Sequence, residues 1–420
     1  MTSNDIAWDK IFEELNISKE LTRIPYFQIT ASQINTIGKR EARLMAKFDT
    51  KESLPQIFKD SELNINAISN GSYIIFKDEK HQSFISLPDY KEIIPRKVTP
   101  VLDFELQTLL FAPRMSESNA LDFAHHSRIL NNYCGEKELK LTTRGRFFSD
   151  GFNFQLGKLG EIGVKGVQIE VDAGYEGREQ FLIIEAKSST RSNFNIRQLY
   201  YPYRHFEKKT TKKIRAILLS FSNGIYYFTE IELHPNYYDY RIINNEAIEV
   251  VIEEKSEEAS IIAFLSQPTH TPHSIPVPQA DNLDKVIDLA AFLLDGPRDK
   301  FEIAEYFEFD ERQGDYYGNA AMYIGLVEKS AGLFKLTELG NEIVHFQNRE
   351  NRNFQVVKAI LKTRVFNDLV SLYLKQQNQM DDQQIIKRLS EEGLTGSTPQ
   401  RRKSTVRSWL NWILSNLPKK

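Results

Sequence analysis

Two carboxylates and a lysine that together could handle a divalent cation lie within residues 168–187, Q-I-E-V-D-A-G-Y-E-G-R-E-Q-F-L-I-I-E-A-K. Asp172 and Glu185 provide hard oxygen ligands, which suit Mg²⁺. Lys187 can orient or deprotonate a water, or offset negative charge on a pentacovalent phosphate. Glu170 stands two residues before Asp172, so that both carboxylates share one face if this segment is a strand. These residue types predict a metal-dependent hydrolytic site.

A β-hairpin is the element expected to hold these side chains together. Polar and apolar residues alternate over 168–172, and 181–187 is a second, more apolar run, so that both predict strands. Gly174 and Gly177 favour the turn between them. The glutamate and lysine of the second strand follow the apolar run 182–184, where charges are costly unless they are paired or bound to a metal. The alternative is a solvated hairpin with ordinary surface charges.

The hairpin resembles the core of the PD-(D/E)XK nucleases, with Asp172 as the first acid and Glu185-Ala186-Lys187 as the E-x-K. The resemblance implies Mg²⁺-dependent phosphodiester hydrolysis, with Mn²⁺ able to substitute. It assigns catalysis to Asp172, Glu185 and Lys187, and metal binding to Asp172, Glu185 and Glu170. Val171 stands where the family usually has a proline, a position at which the proline is often lost.

A helix predicted over 196–204, I-R-Q-L-Y-Y-P-Y-R, follows the hairpin. It resembles the Q-x-x-Y helix that many of these nucleases pack behind the site. The resemblance makes Gln198 a further catalytic residue that holds the attacking water or a phosphate, and Arg197 and Arg204 contacts to the DNA backbone. The alternative is an amphipathic helix whose tyrosines face the core.

Two further segments precede the hairpin. Residues 116–133 predict a helix, and 142–147, T-T-R-G-R-F, predict a polar basic turn. Many nucleases of this superfamily open with a helix that carries a glutamate near the metal, so that Glu117 is an additional candidate. Arg144 and Arg146 in the turn are expected to contact DNA.

Composition sets broad limits on the class of protein. The chain has 420 residues, 41% of them hydrophobic, which predicts two to four packed domains. A net charge of −3 does not by itself indicate a nucleic-acid partner. The single cysteine, Cys134, excludes an intramolecular disulfide framework and fits a reducing cytoplasm. No apolar run approaches the length of a membrane-spanning helix, so that no membrane partner is expected.

The predicted fold is an α/β (α+β) nuclease core with a mixed central sheet, accompanied by smaller modules on both sides. The N-terminal α+β module contains a basic segment over 34–49, which either touches DNA phosphates or forms a solvated helix face. The predicted domains are an N-terminal module over 1–95, the nuclease core over 100–255, a Pro-rich linker over 256–280, a winged helix-turn-helix over 281–346 and a C-terminal helical DNA-binding module over 350–420.

The winged-helix prediction rests on three helical patterns followed by a hairpin pattern within 281–346. The expected recognition helix begins R-Q-G-D-Y-Y and resembles the R-Q-x-x-Y-Y module associated with restriction endonucleases. Arg312, Gln313 and Asn319 are residue types that read base edges. The alternative is a winged helix used only for packing or dimerisation.

The last predicted helix, over 399–414, has a basic first half. Residues 396–420 contain six Lys or Arg and no Asp or Glu. We therefore predict a second helix-turn-helix that contacts DNA through its basic end. The alternative is a basic, solvated helix. The residues expected at DNA are Arg401, Arg402, Lys403 and Arg407.

The order of these parts resembles a type II restriction endonuclease. The resemblance implies sequence-specific hydrolysis of double-stranded DNA by a homodimer on DNA, with a separate cognate methyltransferase to protect the host. The sequence lacks a G-x-x-x-x-G-K-[ST] loop, so that ATP-driven translocation is not expected. The alternatives are a repair or resolvase-type nuclease and a non-catalytic winged-helix DNA-binding regulator.

Overall fold

The computed structural model describes residues 2–253, 264–269, 277–308, 310–376 and 380–417. The chain divides into two units. The first comprises Met1–Arg96, Glu117–Ser220 and Tyr226–Ile248, and the second comprises Lys97–Ser116, Phe221–Ile225 and Glu249–Lys420. Residues predicted as an N-terminal module and most of the predicted nuclease core therefore belong to one unit.

Short helices accompany the sheets of the first unit. The first of them begins with a capping box, in which the side chains of Thr2 and Asp5 bind each other's backbone N–H, and it buries Trp8 and Ile11. The helices of this unit are α1 Ser3–Glu14, α2 Ile17–Glu20, α3 Ala31–Gly38, α4 Ala42–Met45, α5 Gln56–Asp60, α6 Glu117–His126, α7 Ile129–Cys134 and α8 Arg197–Phe206.

Strands make up much of the chain before residue 251. They are β1 Tyr26–Thr30, β2 Leu63–Ser69, β3 Ser72–Lys77, β4 Phe84–Ser86, β5 Arg96–Val98, β6 Lys140–Phe148, β7 Phe152–Gln155, β8 Glu161–Val164, β9 Gln168–Glu176, β10 Gln180–Lys187, β11 Asn193–Asn195, β12 Lys213–Ser222, β13 Ile225–Leu233 and β14 Tyr240–Val250. The largest sheet has the order β5-β14-β13-β12-β10-β9-β6.

The predicted hairpin forms the middle of this sheet. β10 pairs antiparallel with β9 and parallel with β12. The predicted mixed sheet is therefore confirmed. Because β10 has a neighbour on each side and is covered on both faces, Phe181–Lys187 is buried throughout, as the apolar composition of the strand requires.

The N-terminal part of the first unit carries a three-stranded sheet of order β1-β3-β2. Asn-Gly is a hairpin turn signal, and the β2–β3 hairpin of this sheet turns at Asn70-Gly71, with Gly71 at φ +79°. β4 pairs with β11, and the backbone N–H of Asn195 donates to the carbonyl oxygen of Asp49 at 2.9 Å. These bonds join the N-terminal segment to the region that contains the hairpin.

Gly174 is not a turn residue, contrary to the prediction. It lies inside β9, and the turn falls between β9 and β10, where Gly177 N–H donates to the Gln180 carbonyl oxygen at 2.9 Å. A Cβ at position 174 would lie 3.0 Å from the Phe181 ring and 3.0 Å from the Thr143 Cβ. The glycine therefore serves close packing of neighbouring strands, which a local turn pattern cannot reveal.

Two predictions on the segment before the hairpin are also wrong. The basic turn predicted over 142–147 is part of β6, an edge strand that is half exposed and shifts register near Gly145, where φ is +94°. The helix predicted over 116–133 is two helices, because Arg128 adopts a left-handed φ of 62° between them. A polar edge strand resembles a loop in composition, since only one of its faces is covered.

The second unit is mostly helical. Side chains cap the N-termini of several of its helices, such as Asn282, Asp299 and Asp310. The elements are α9 Leu283–Phe292, α10 Lys300–Phe307, α11 Glu311–Tyr323, β15 Val327–Ser330, β16 Leu333–Leu336, α12 Glu338–Val344, α13 Arg349–Leu361, α14 Arg364–Lys375, α15 Asp382–Glu391 and α16 Thr398–Ser415.

One hydrophobic core joins the two C-terminal segments that the sequence suggests are separate. Trp409 of α16 stacks on Phe366 of α14, with ring centroids 5.2 Å apart, and meets Tyr323 of α11 edge-on at 6.3 Å. The predicted Pro-rich linker lies partly outside the described residues. Its end packs on α16, where the Trp409 indole N–H donates to the Ala280 carbonyl oxygen at 2.8 Å. No helix in the described ranges is long and apolar enough to cross a membrane.

Candidate active site

The β9–β10 pairing places the two candidate carboxylates next to each other. The register runs to Ile184 opposite Ala173, so that Glu185 and Asp172 are the next residues on the two strands. Where the backbone ladder ends, the Asp172 carboxylate accepts the Ala186 N–H at 2.8 Å. β10 remains paired with β12 as far as Lys187 opposite Ser220. The candidate site is therefore built on a strand that is fixed on both sides.

Glu185 is the centre of a buried polar group. The Lys187 Nζ lies 2.8 Å from the Glu185 Oε1, and the Gln198 Nε2 donates to the same oxygen at 3.0 Å. Only 8% of Glu185 and 6% of Lys187 is exposed. Gln198 comes from the first turn of α8, whose next residues, Leu199 and Tyr200, are buried in the core. Packing of this helix therefore aims the amide at Glu185.

Burial raises the pKa of both carboxyl groups. The pKa of Glu185 rises to about 8, because burial and the nearby Asp172 outweigh the stabilising charge of Lys187. The pKa of Asp172 is also raised by burial, against the opposing effects of Lys187 and the Ala186 N–H. One lysine is therefore not enough positive charge to keep both groups ionised at neutral pH, and a divalent cation would provide the remainder.

The donor set fits a Mg²⁺ ion that keeps part of its water shell. Within the described ranges no three His, Cys, Asp or Glu side chains are close enough to form a metal cage by themselves. Mg²⁺ commonly takes one or two carboxylates together with waters. Two buried oxygens at this site, Gln198 Oε1 and Asp49 Oδ1, have no hydrogen-bond partner among the described residues. Such atoms are satisfied when water or a hydrated ion is present.

A cleft of about 520 Å³ opens over these residues. It is lined by parts of the first unit that are far apart in sequence. Asp49, which the sequence analysis did not single out, enters the cleft from the segment before α5, and its negative charge contributes to the raised pKa of Glu185. No local pattern marks Asp49, because the long-range bond to Asn195 positions it. Further charged residues that line the cleft are Glu41, Arg43, Lys47, Glu117, Arg146, Glu170 and Arg197.

Glu170 shares a strand face with Asp172 but has other partners. Its carboxylate lies 3.0 Å from the Arg146 Nε and 4.0 Å from an Arg43 nitrogen, and its side chain is 48% exposed. Its predicted role as a metal ligand stays a prediction. In this arrangement Glu170 instead holds two cations at the wall of the cleft.

The predicted DNA-contacting arginines of the first unit divide into two pairs. Arg146 and Arg197 line the cleft. Arg144 is held by the Asp122 carboxylate at 3.1 Å and donates its Nε–H to the Asp172 carbonyl oxygen at 3.1 Å. Arg204 is 2.6 Å from Glu207 and does not line the cleft. Arg144 and Arg204 therefore have structural partners that a DNA contact would have to replace.

The predicted DNA-contacting residues of the second unit differ in their exposure and in their partners. Arg312 and Gln313 are exposed on the first turn of α11. Asn319 lies further along this helix and is half-buried, with its amide 3.5 Å from the Asp315 carboxylate. The remaining residues, on α16, are Arg401, Arg402, Lys403 and Arg407.

Three family models match the chain, and none covers half of it. They are described as Domain of unknown function (DUF6996) at residues 5–75, Domain of unknown function (DUF6997) at residues 79–247 and Domain of unknown function (DUF7226) at residues 285–418. No curated protein and no solved structure matches the chain. Most of the candidate site lies within the second match, whereas Asp49 lies within the first.

Proposed function

We propose that this protein is a Mg²⁺-dependent type II restriction endonuclease that hydrolyses phosphodiester bonds of double-stranded DNA at a specific sequence. The observation that supports hydrolysis is the group formed by half-buried Asp172 with buried Glu185 and Lys187, which lines an open, polar cleft. Perturbed carboxyl pKa values next to a buried lysine are typical of catalytic sites. The restriction activity rests on the resemblance of the hairpin and of the C-terminal helices to such enzymes.

Each residue of this group has a task in the proposed reaction. Asp172 and Glu185 would hold a Mg²⁺ ion, which when bound supplies Lewis-acid chemistry at the scissile phosphate. Lys187, fixed 2.8 Å from Glu185, orients the attacking water or donates to a phosphate oxygen as negative charge develops. Gln198 fixes the Glu185 carboxylate through its amide N–H, and its unpartnered Oε1 can accept a hydrogen bond from water.

Four positive side chains of the cleft can contact the phosphates of an anionic substrate. Arg43, Lys47, Arg146 and Arg197 line the cleft wall. Three of these four cations have acidic neighbours, Glu170 for Arg43 and Arg146 and Asp49 for Lys47. Phosphates of a bound strand would compete with these surface carboxylates for the cations. This arrangement supports a polyanionic substrate that lies along the cleft.

The test is cleavage of plasmid DNA in Mg²⁺ by the full-length chain and its Asp172→Ala variant. Loss of one metal-binding carboxylate is expected to reduce the cleavage rate by about 10³-fold or more, equivalent to about 4 kcal/mol of barrier. DNA binding should survive. The matched control is Asp150→Ala, which removes a carboxylate that is 71% exposed and pairs with Lys209 elsewhere in the same unit. It should cut like the wild type.

The cleavage pattern separates the proposal from its alternatives. Discrete bands that depend on sequence support restriction, whereas a smear indicates a nonspecific nuclease. Cutting confined to branched or damaged DNA would replace restriction with resolution or repair. Binding without cutting under all these conditions would favour a DNA-binding regulator. Wild-type-like cutting by Asp172→Ala would remove the active-site assignment itself.

A further inference from the structure

A second cleft, of about 500 Å³, lies in the second unit. It joins two segments that the sequence assigns to separate DNA-binding modules, the start of α11 and the first half of α16. The segment before α9 completes it. The residues that line this arginine cleft are Gln279, Asp310, Arg312, Gln313, Tyr316, Arg401, Arg402 and Thr405.

The arginine cleft carries positive charge without matching carboxylates. Among the described residues, Arg312, Arg401 and Arg402 form no ion pair, unlike Lys403 and Arg407. The one acid of the lining, Asp310, uses its Oδ1 to cap α11, where it accepts the backbone N–H groups of Arg312 at 2.8 Å and Gln313 at 3.0 Å. The N-terminus of the helix is thus already satisfied, and the unbalanced charge is that of the guanidinium groups.

Two other basic residues of α16 have an acidic partner, unlike the arginines of the cleft. Lys403 and Arg407 both reach the Asp382 carboxylate of α15, each at 2.8 Å. Arg401 and Arg402 point to the cleft instead. Burial and the charge of Arg401 lower the pKa of Arg402. Two adjacent like charges of this kind are unfavourable unless an anion lies between them.

The walls of the arginine cleft are held in place by hydrogen bonds. The Thr405 hydroxyl donates to the Gln279 carbonyl oxygen at 3.2 Å, and the Ser408 hydroxyl donates to the Asp281 carbonyl oxygen at 2.8 Å. With its amide oxygen toward α16, Gln279 accepts from Arg402 at 2.9 Å and donates to the Tyr316 hydroxyl at 3.1 Å. Neutral groups therefore position Arg402 without cancelling its charge.

We propose that the arginine cleft binds a phosphate group of the DNA backbone, so that α11 and α16 form one sequence-independent anchoring surface. This inference rests on the proposed function. A guanidinium group matches the geometry of phosphate oxygens in a bidentate manner. Base edges lie on the floor of a groove and are read by helices that protrude into it. A phosphate projects from the DNA surface and can enter a concave site. Arg312 and Gln313 thereby hold phosphate rather than read bases.

The test compares DNA binding by the full-length chain and by an Arg312→Ala/Arg402→Ala variant, without divalent metal and across a salt series. We expect weaker binding of specific and scrambled duplexes by the same factor. The plot of log K against log[salt] should become shallower by roughly 0.9 per lost contact, or about 2 units.

Two matched control variants accompany this test. Lys375→Ala/Lys387→Ala removes two exposed charges outside the arginine cleft and should keep the wild-type slope. Arg312→Lys/Arg402→Lys should recover most of the slope, which separates lost charge from misfolding.

The outcomes distinguish this inference from the proposed function. An unchanged slope, together with Mg²⁺-dependent cutting by the wild type, would overturn the inference and leave the function standing. A loss confined to the specific duplex would also overturn it, because it would make the arginines base readers. Titration with inorganic phosphate and with a mononucleotide tests a free ligand. Tight binding of either, abolished by the alanine variant while duplex binding is unchanged, would assign the cleft to a small phosphate ligand instead.

Discussion

Gln198→Leu should lower DNA cleavage while leaving the stability of the fold nearly unchanged. The side chain of Gln198 has one donor engaged, the amide N–H bound to the Glu185 Oε1 at 3.0 Å. It has one acceptor, Oε1, that is buried without a hydrogen-bond partner among the described residues. Leucine is similar in size and removes both groups at once. This substitution therefore separates a catalytic amide from a residue that only packs.

The magnitudes follow from these two contacts. Because the pKa of Glu185 is raised to about 8, its carboxyl group is mostly uncharged at neutral pH in the metal-free protein, and a hydrogen bond to an uncharged acceptor contributes about 0.5–1.5 kcal/mol. An unsatisfied buried acceptor costs about 1–3 kcal/mol. In the metal-free protein the two effects of the substitution nearly cancel, so that the free energy of unfolding should change by about 1 kcal/mol or less. Removal of a group that orients a metal ligand typically reduces activity or metal affinity by about 10–100-fold. Cleavage should fall within that range.

Tyr200→Phe on the same helix is the matched control. The Tyr200 hydroxyl donates to the Pro235 carbonyl oxygen at 2.8 Å, and Tyr200 does not line the active-site cleft. Its loss should cost about 1 kcal/mol of stability and leave the cleavage rate unchanged. The assays are urea unfolding and single-turnover cleavage in Mg²⁺. If Gln198→Leu cut at the wild-type rate, α8 would contribute only an amphipathic packing face, and the catalytic interpretation of Gln198 would be refuted.

Two further predictions concern the metal and pH. Mg²⁺ or Mn²⁺ should support cleavage, whereas Ca²⁺, which takes more ligands at longer distances, should permit binding with little cutting; full activity in excess EDTA would reject the metal mechanism. In the second unit, burial raises the pKa of Asp288 from 3.8 to about 7, despite its bonds to Ser222 and Asn223. A raised folded-state pKa means that the folded chain holds this proton more tightly, so that the stability contributed below about pH 4 is lost as pH rises toward 7. The free energy of unfolding of Asp288→Asn, relative to that of the wild type, should therefore rise by about 2–3 kcal/mol from pH 5 to pH 8. Urea unfolding of both proteins at the two pH values measures this difference. An equal difference between the two proteins at pH 5 and pH 8 would contradict a raised pKa of Asp288.

Short-range patterns predicted the hairpin and the strands after it. Alternation over 168–172 and the apolar run before Glu185 are local properties, and β9 and β10 follow them. The apolar runs over 213–220 and 225–233 likewise predict strands, and they form β12 and β13. These segments could be predicted because a strand buried on both faces is a continuous apolar run, and a strand buried on one face alternates polar and apolar residues.

Contacts between distant segments could not be predicted in this way. Asp49 reaches the active-site cleft through a backbone bond to Asn195, and Gly174 is required by packing against Phe181 rather than by a turn. The basic residues of the last helix could also not be distinguished from one another by sequence alone. It groups Lys403 and Arg407 with the other basic residues, although both of them pair with Asp382. Composition counts charges, whereas function depends on which charges lack a partner.

The most direct test of the central claim is the single-turnover rate at which Glu185→Gln cleaves supercoiled plasmid, compared with the wild type in Mg²⁺ and in EDTA. Glutamine keeps the size and an acceptor for the Lys187 and Gln198 donors, so that the fold should be retained. It removes the carboxylate charge that binds the metal. We predict discrete products from the wild type in Mg²⁺, none in EDTA, and a rate for Glu185→Gln lower by about 10³-fold or more. Cutting by Glu185→Gln at the wild-type rate would contradict the assignment of this cleft as the active site.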